Sequence, residues 1–329
     1  MRSMHPDESL HCQQATHSPS SLLGTLPLLI LMAPVWACGP VEPTDEAPAP
    51  SPLAARYLPL EADNGMSPNG LSANGLSANG LSANGLSANG LSANGLSMPS
   101  FTSWFTQNPA QNDMVMRYIV RCAVHDNEFR QYRDPQTQLV YTWSGGLGLA
   151  PGWAHGAPAN LAEQQLVSAC LAAHVNKFGM SVPISVLGKT ATGQYIPVTL
   201  DELLRYTRQE GCFFGNLFNG EGVFAGSDGP RLQSTESSSR ACAFSSGGNA
   251  CPPIVDAGRC DQLCEPFLLG GLYVSCTYNG VTYKPLTTRI SQHAIYRCGD
   301  GVCQFTESCG RGSIPDSCEA DCGRCTDEN

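Results

Sequence analysis

Between residues 63 and 97 the frame x-Asn-Gly-Leu/Met-Ser occurs seven times without a gap. Asn and Gly both tolerate positive φ, so every pentad favours a tight turn. A turn every five residues excludes a long helix and leaves no room for a strand of useful length. Two architectures remain: a five-residue β-solenoid and a flexible stalk. Stacked repeats need neighbours to bury their apolar face, and seven pentads give a solenoid few. The stalk is therefore the expected state of residues 63–97. The segment "PVEPTDEAPAPSPLAA" before it, within residues 38–62, reads as a Pro/Ala-rich linker. If flexible, the stretch from Cys38 to Phe101 has an r.m.s. reach of roughly 45 Å.

The rest of the chain is marked by cysteine. There are sixteen in 329 residues, and fourteen of them follow the repeat. That density fits an oxidising compartment, because a reducing cytosol keeps thiols free. The N-terminus agrees. Residues 1–37 carry an apolar run from Leu22 to Met32, too short to span a bilayer and of the length of a signal-peptide core. It ends in Val35-Trp36-Ala37-Cys38-Gly39. This ending resembles a bacterial lipobox, which implies cleavage before Cys38 and lipidation of that residue. Ordinary secretory cleavage nearby is the alternative.

Formal net charge is −10. Residues 100–297 balance at fourteen basic and fourteen acidic side chains, whereas residues 298–329 hold seven acids and two arginines. Nucleic acid needs a basic face, so this distribution argues against it as a partner. The acidic tail is better suited to a cation.

Residues 101–297 read as one α+β domain. In "NPAQNDMVMRYIVRCAVH", Val115, Met116, Ile119, Cys122 and Ala123 fall on one helical face. "QLVYTW" reads as a strand closed by Gly145-Gly146. A second helix starts at Asn160 with Glu163 in capping-box position, and is expected to run to Gly179. "SVPISVLG" and "QYIPVTL" read as a strand pair. A third helix, "DELLRYTRQEG", is expected from its Thr199 cap to Gly211. Short strands follow in "CFFGNLF", "LYVSCTY" and "VTYKPLTTRI". Pieces such as "GLGLAPGWA", "VSACLAAHVN" and "EGCFFGNLF" resemble an uncharacterised group of myxobacterial secreted proteins, as does the Asn-Gly-Leu-Ser run; the resemblance implies no activity.

This domain holds Cys122, Cys170, Cys212, Cys242, Cys251, Cys260, Cys264 and Cys276, an even number open to complete pairing. Cys122 and Cys170 sit on the core faces of the first two helices, so a bridge between them is expected. The same cysteines are followed by His125 and His174, which raises zinc binding or a Cys–His nucleophile. His125 lies about 120° from the centre of its helix's apolar stripe at ~100° per residue and should face solvent. His174 lies on the core side. A disulfide with core packing is therefore preferred to either chemistry. Gly188-Lys189-Thr190 has the tail of a phosphate loop, but Pro183 stands where its first glycine belongs. Trp143, Trp153, Phe213, Phe214 and Phe218 could line a groove; the core is the stronger reading. Asp201 and Glu202 are helix-cap acids. No acid/base pair stands out.

The tail, residues 298–325, carries Cys298, Cys303, Cys309, Cys318, Cys322 and Cys325, with residues 326–329 beyond. It has too little apolar content for a core, so disulfides or metal must hold it. "CGDGVC" and the later "ADCG" resemble a Cys-rich repeat of myxobacterial secreted proteins, and more loosely Notch-type repeats, which bind calcium. The resemblance implies Asp300, Glu307 and Asp321 as oxygen ligands, with Asp316 as an extra acid. A disulfide knot with solvated acids is the equal alternative.

The expected whole is an α+β, disulfide-rich single domain with a small Cys-rich C-terminal module and a disordered N-terminal stalk. Export and a lipid anchor in the membrane are expected, with binding of an unidentified surface or extracellular ligand as function. No cofactor is required, apart from calcium if the tail takes it. A secreted hydrolase acting on wall polymer or peptide is the alternative.

Overall fold

A computed structural model describes residues 85–175, 182–228, 253–267 and 271–291, and the backbone of residues 62–64. In the tail it describes residues 298–299, 301, 303, 309–311 and 317–325. The fold is mixed helix and strand, as the sequence reading expects.

The first described helices lie inside the repeat. Leu86–Asn89 (α1) and Ala93–Leu96 (α2) are single turns, followed by Pro99–Phe105 (α3). Leu86, Leu91 and Leu96 are at most 2% exposed and belong to the main core. This moves a boundary: residues 85–97, assigned above to the stalk, are part of the folded body. The Asn-Gly turns are what allow it. Gly85 and Gly90 take φ of 77° and 65°. Between those turns each pentad makes one helical turn that delivers its leucine inward. A Cβ on Gly90 would lie 2.5 Å from the Gly156 Cα, and one on Gly95 would lie 2.1 Å from the Gly90 carbonyl oxygen. Ser92 caps α2 by accepting the Gly95 N–H at 3.2 Å.

The backbone of this strap is held by Pro151–Ala154 (α5) and the loop that follows it. The Trp153 indole N–H donates to the Leu86 carbonyl at 2.6 Å. Leu91 N–H donates to the Trp153 carbonyl at 2.9 Å, and Ala159 N–H to the Ser87 carbonyl at 3.0 Å. A period-five sequence thus packs because a separate loop supplies the partners its own short turns leave unmade.

Pro109–Ala123 (α4) starts with Asn108 as N-cap and buries Val115, Met116, Ile119 and Cys122. Strands Phe129–Arg133 (β2) and Val140–Ser144 (β3) form an antiparallel hairpin against it; β3 is the strand expected from "QLVYTW". After α5 comes Leu161–His174 (α6), opened by the expected Asn160/Glu163 capping box. It ends at His174 rather than Gly179, because Val175 has left helical geometry.

The central sheet has six strands in the order β1-β4-β11-β5-β6-β7. They are Ala62–Asn64 (β1), Val182–Leu187 (β4), Leu286–Ile290 (β11), Arg208–Asn216 (β5), Gly222–Ser227 (β6) and Ile254–Arg259 (β7). All neighbours are antiparallel except β6 and β7. α6 covers this sheet through β5, β6 and β11. Two expectations are corrected here. "QYIPVTL" is no strand partner of β4: only Lys189 and Tyr195 bridge, and β4 pairs instead with β1 and β11. Pro197, which has no N–H to give a ladder, stands in that segment. The third helix, Leu200–Arg205 (α7), keeps its Thr199 cap but stops six residues before Gly211, which lies within β5. Burial along β5 is continuous from Glu210 to Asn216, as in a central strand covered on both faces.

A second sheet of Cys264–Pro266 (β8), Tyr273–Tyr278 (β9) and Val281–Tyr283 (β10) follows the turn Cys260–Leu263 (α8). Its core is sulfur and aromatic: the Cys212–Cys260 and Cys264–Cys276 bridges pack with Phe214, Phe224 and Tyr283. The tail carries one helical turn among its described residues, Glu319–Cys322 (α9).

Candidate functional site

A cleft of about 210 Å³ opens between the end of β4 and the second sheet. Its floor includes Leu166 of α6. Gly188 lets β4 end beside β11, since a Cβ there would sit 2.4 Å from a Leu286 methyl. Residues 190–194 then turn back, with the Thr190 N–H donating to the Gln194 carbonyl at 2.8 Å and Gly193 at φ 85°. That turn brings Tyr195 to Lys189. Phe267 arrives from the far wall, where its N–H donates to the Leu272 carbonyl at 2.8 Å.

The three side chains form one unit. The Lys189 ammonium lies 4.6 Å from the Tyr195 ring centre and 5.2 Å from that of Phe267. The rings are 5.8 Å apart. These distances are within cation–π range. Lys284, exposed, lines the same cleft, as do Tyr273 and Val274. The Tyr273 hydroxyl donates to Asp228 in a very short bond. Burial, and next the Asp228 hydrogen bond, push the Tyr273 phenol above its ordinary range. Burial likewise raises the Asp228 carboxyl, opposed by the Tyr273 bond. The pair pins one wall of the cleft.

A second cleft, of about 300 Å³, is lined by His125, Glu128 and His155 together with Gly148 and Pro151. The two clefts carry one carboxylate between them, Glu128.

The residues singled out by sequence fall as follows. Cys122 and Cys170 are bonded and fully buried between α4 and α6. The Cys170 sulfur is 3.5 Å from His174 Nδ1, so the Cys–His proximity is real, but the sulfur is oxidised. His174 is fully buried at the end of α6, as expected; His125 is 66% exposed, but it stands beyond the C-cap Val124 of α4 rather than on the helix. Trp143, Trp153, Phe213, Phe214 and Phe218 are all core residues. Asp201 pairs with Arg205 at 2.7 Å, and the Glu202 N–H is capped by Thr199. In the tail, bridges join Cys298 to Cys318, Cys303 to Cys322 and Cys309 to Cys325. Asp321 turns both carboxylate oxygens to backbone: one accepts the Gly299 N–H at 2.6 Å, the other the Gly301 N–H at 3.0 Å. Cys38, Cys242, Cys251, Asp300, Glu307 and Asp316 lie outside the described residues.

The Lys189 cleft could not be read from sequence as a site. Gly188-Lys189-Thr190 attracted notice only as a failed phosphate loop, while Tyr195, Phe267 and Tyr273 come from separate segments. Among the described residues, no helix is long and apolar enough to cross a membrane.

Comparison with known proteins finds one family match: residues 65–102 fit the model of the GLTT repeat, in six copies. The match covers the repeat and the start of the body, and shows a repeat-containing protein. No curated protein and no solved structure matches the chain.

Proposed function

We propose that this is an exported binding protein whose ligand docks at the Lys189 cleft. The observation that carries the reading is an ammonium held beside two aromatic rings over an apolar floor, with Lys284 as a second cation and no carboxylate among the described lining residues. Such a wall suits a ligand that is both flat and anionic. The chemical class is an acidic saccharide, whose ring face stacks on Tyr195 or Phe267 while its carboxylate meets the lysines. Pockets for drug-sized ligands start at ~300 Å³. At about 210 Å³ this one takes a single ring of a longer polymer.

The experiment is calorimetric titration with oligogalacturonate, with the neutral oligosaccharide of the same length as control. Lys189→Ala should weaken binding about tenfold, the worth of one partly exposed charge-assisted contact. Its melting temperature should stay that of the parent. No heat with the acidic oligomer, or equal heat with the neutral one, would sink the reading. Binding of acidic peptides alone would redirect it to a peptide class.

The hydrolase alternative calls for a cleft with two carboxylates or a free Cys–His pair. The single carboxylate in these two clefts and the oxidised Cys170 support binding instead.

We also propose the lipid anchor at Cys38, supported by the lipobox-like residues before it and by six disulfides compatible with an oxidising compartment. Cys38→Ser should shift the protein from the membrane fraction to the soluble exported one. A wild-type protein already soluble, with another N-terminal residue, would refute the anchor. We also propose calcium in the tail at Asp300, Glu307 and Asp321; the Asp321 carboxylate, held by the Gly299 and Gly301 amides, keeps lone pairs for a cation.

A further inference from the structure

We infer that the pentads are self-modifying sites, and that the seat closes them where the strap is docked. Asn74-Gly75 and Asn79-Gly80 are open to spontaneous deamidation, whereas Asn89-Gly90 and Asn94-Gly95 are held out of it. The chemistry needs no enzyme. The glycine amide gives its proton to hydroxide, and its nitrogen attacks the side-chain carbonyl carbon of the asparagine before it. A new C–N bond closes a succinimide ring, the bond to Nδ2 breaks, and ammonia leaves. Water then opens the ring at either carbonyl to give aspartate or isoaspartate. Glycine, with no Cβ, is the least hindered residue that can follow the asparagine. The asparagines at 74, 79, 84, 89 and 94 share one local sequence, Ala-Asn-Gly-Leu-Ser. Their intrinsic reactivity is therefore the same, and any difference between them is structural.

At the docked pentads the attacking nitrogen is already engaged. Gly90 N–H donates to the Leu86 carbonyl at 2.9 Å, and Gly95 N–H to Ser92 Oγ at 3.2 Å. Both glycines are buried, so hydroxide does not reach them without opening the strap. Each is packed against backbone, Gly90 against Gly156 and Gly95 against the Gly90 carbonyl. The leaving group is engaged too at Asn89, whose Nδ2 donates to the Gly85 carbonyl at 2.9 Å. Backbone geometry also opposes closure, since Asn89 lies in α1 and Asn94 in α2. The ring needs the following nitrogen eclipsed with Cβ, and a helical ψ of about −42° keeps it roughly 80° away.

The docked pentads therefore react only when the strap opens, and their rate is cut by that opening equilibrium. Asn74 and Asn79 lie outside the described residues, and their reactivity is that of the sequence alone. Damage thus accumulates first in the upstream pentads and spares the stretch whose leucines are core. This protection stands apart from the saccharide reading and from the anchor.

The test ages the intact oxidised protein in mildly alkaline buffer and follows the tryptic peptide of residues 57–117, which holds all of these sites. Fragment masses place each amide that has become an acid. Asn89 and Asn94 should convert at least about tenfold more slowly than Asn74 and Asn79. In denaturant the four rates should become equal, because the local sequences are identical. Equal rates in the native protein would overturn the inference. So would a native protein in which all four are slow and denaturant frees them together, since protection would then not be confined to the docked strap.

Discussion

Leu91→Ala should destabilise the folded body by about 3 kcal/mol, within the range for a leucine truncated in a packed core. For a body of this size that is roughly 10 °C in melting temperature. Leu91 is fully buried, in the middle of a strap whose neighbours Leu86 and Leu96 are buried with it. Gly90→Ala should be comparably damaging, since its Cβ would meet the Gly156 Cα at 2.5 Å and the Trp153 carbonyl at 2.6 Å. Deleting residues 73–77 makes the contrast. Residues 73–97 are five identical Ala-Asn-Gly-Leu-Ser pentads, so the deletion regenerates the docked sequence ahead of Met98. Its melting temperature should stay with the parent. Thermal melts of the three variants under non-reducing conditions decide the matter. A Leu91→Ala protein that melts with the parent would show that the strap is not seated in solution.

Replacing Cys122 and Cys170 together by alanine should cost about 4 kcal/mol, from the chain entropy released when a loop of 48 residues is opened. The bridge ties α4 to α6, and α6 carries Leu166 at the floor of the Lys189 cleft. Loss of the bridge should therefore lower cooperativity of unfolding as well as its midpoint. Denaturant titration measures both. Thiol labelling of the unfolded wild-type chain supplies the complementary check, because bonded sulfurs at 122 and 170 leave nothing there to label. Labelling at both positions without reductant would contradict the bridge and reopen the zinc reading with His174.

Much of the helical layer was legible because its signals are local. The Asn160/Glu163 box, the Thr199 cap and the apolar stripe of Pro109–Ala123 each lie within a few residues of one another, and each appears in the structure. The Cys122–Cys170 bridge followed from two such stripes. Where the reading failed, a distant partner had decided. "RQEG" continues a helix by its local pattern, yet it opens the strand that "CFFGN" carries on, because β6 and β11 flank it and α6 covers it. "QYIPVTL" lost its strand to β11, which arrives far later in the chain, at Leu286. Strands β6 and β7 went unseen for the same reason: short, glycine-containing segments take their form from neighbours.

The sites show the same division. Helical angle placed His174 inside; His125 is outside as well, but it lies past the end of α4, where its backbone bridges to Gly146 and Leu147. Sequence could not bring Lys189 to Tyr195 and Phe267, or His155 to Glu128, because those pairs meet only when loops from separate elements close on one another.

The repeat divides the two most clearly. The pentad pattern alone predicts that no long helix or strand forms across residues 63–97, since an Asn-Gly turn in every pentad limits order to single turns. Only the tertiary structure decided that the last of those turns would be core. An isolated turn cannot repay its conformational entropy, but one whose leucine enters an existing apolar seat, with Trp153 and Ala159 meeting its backbone, can.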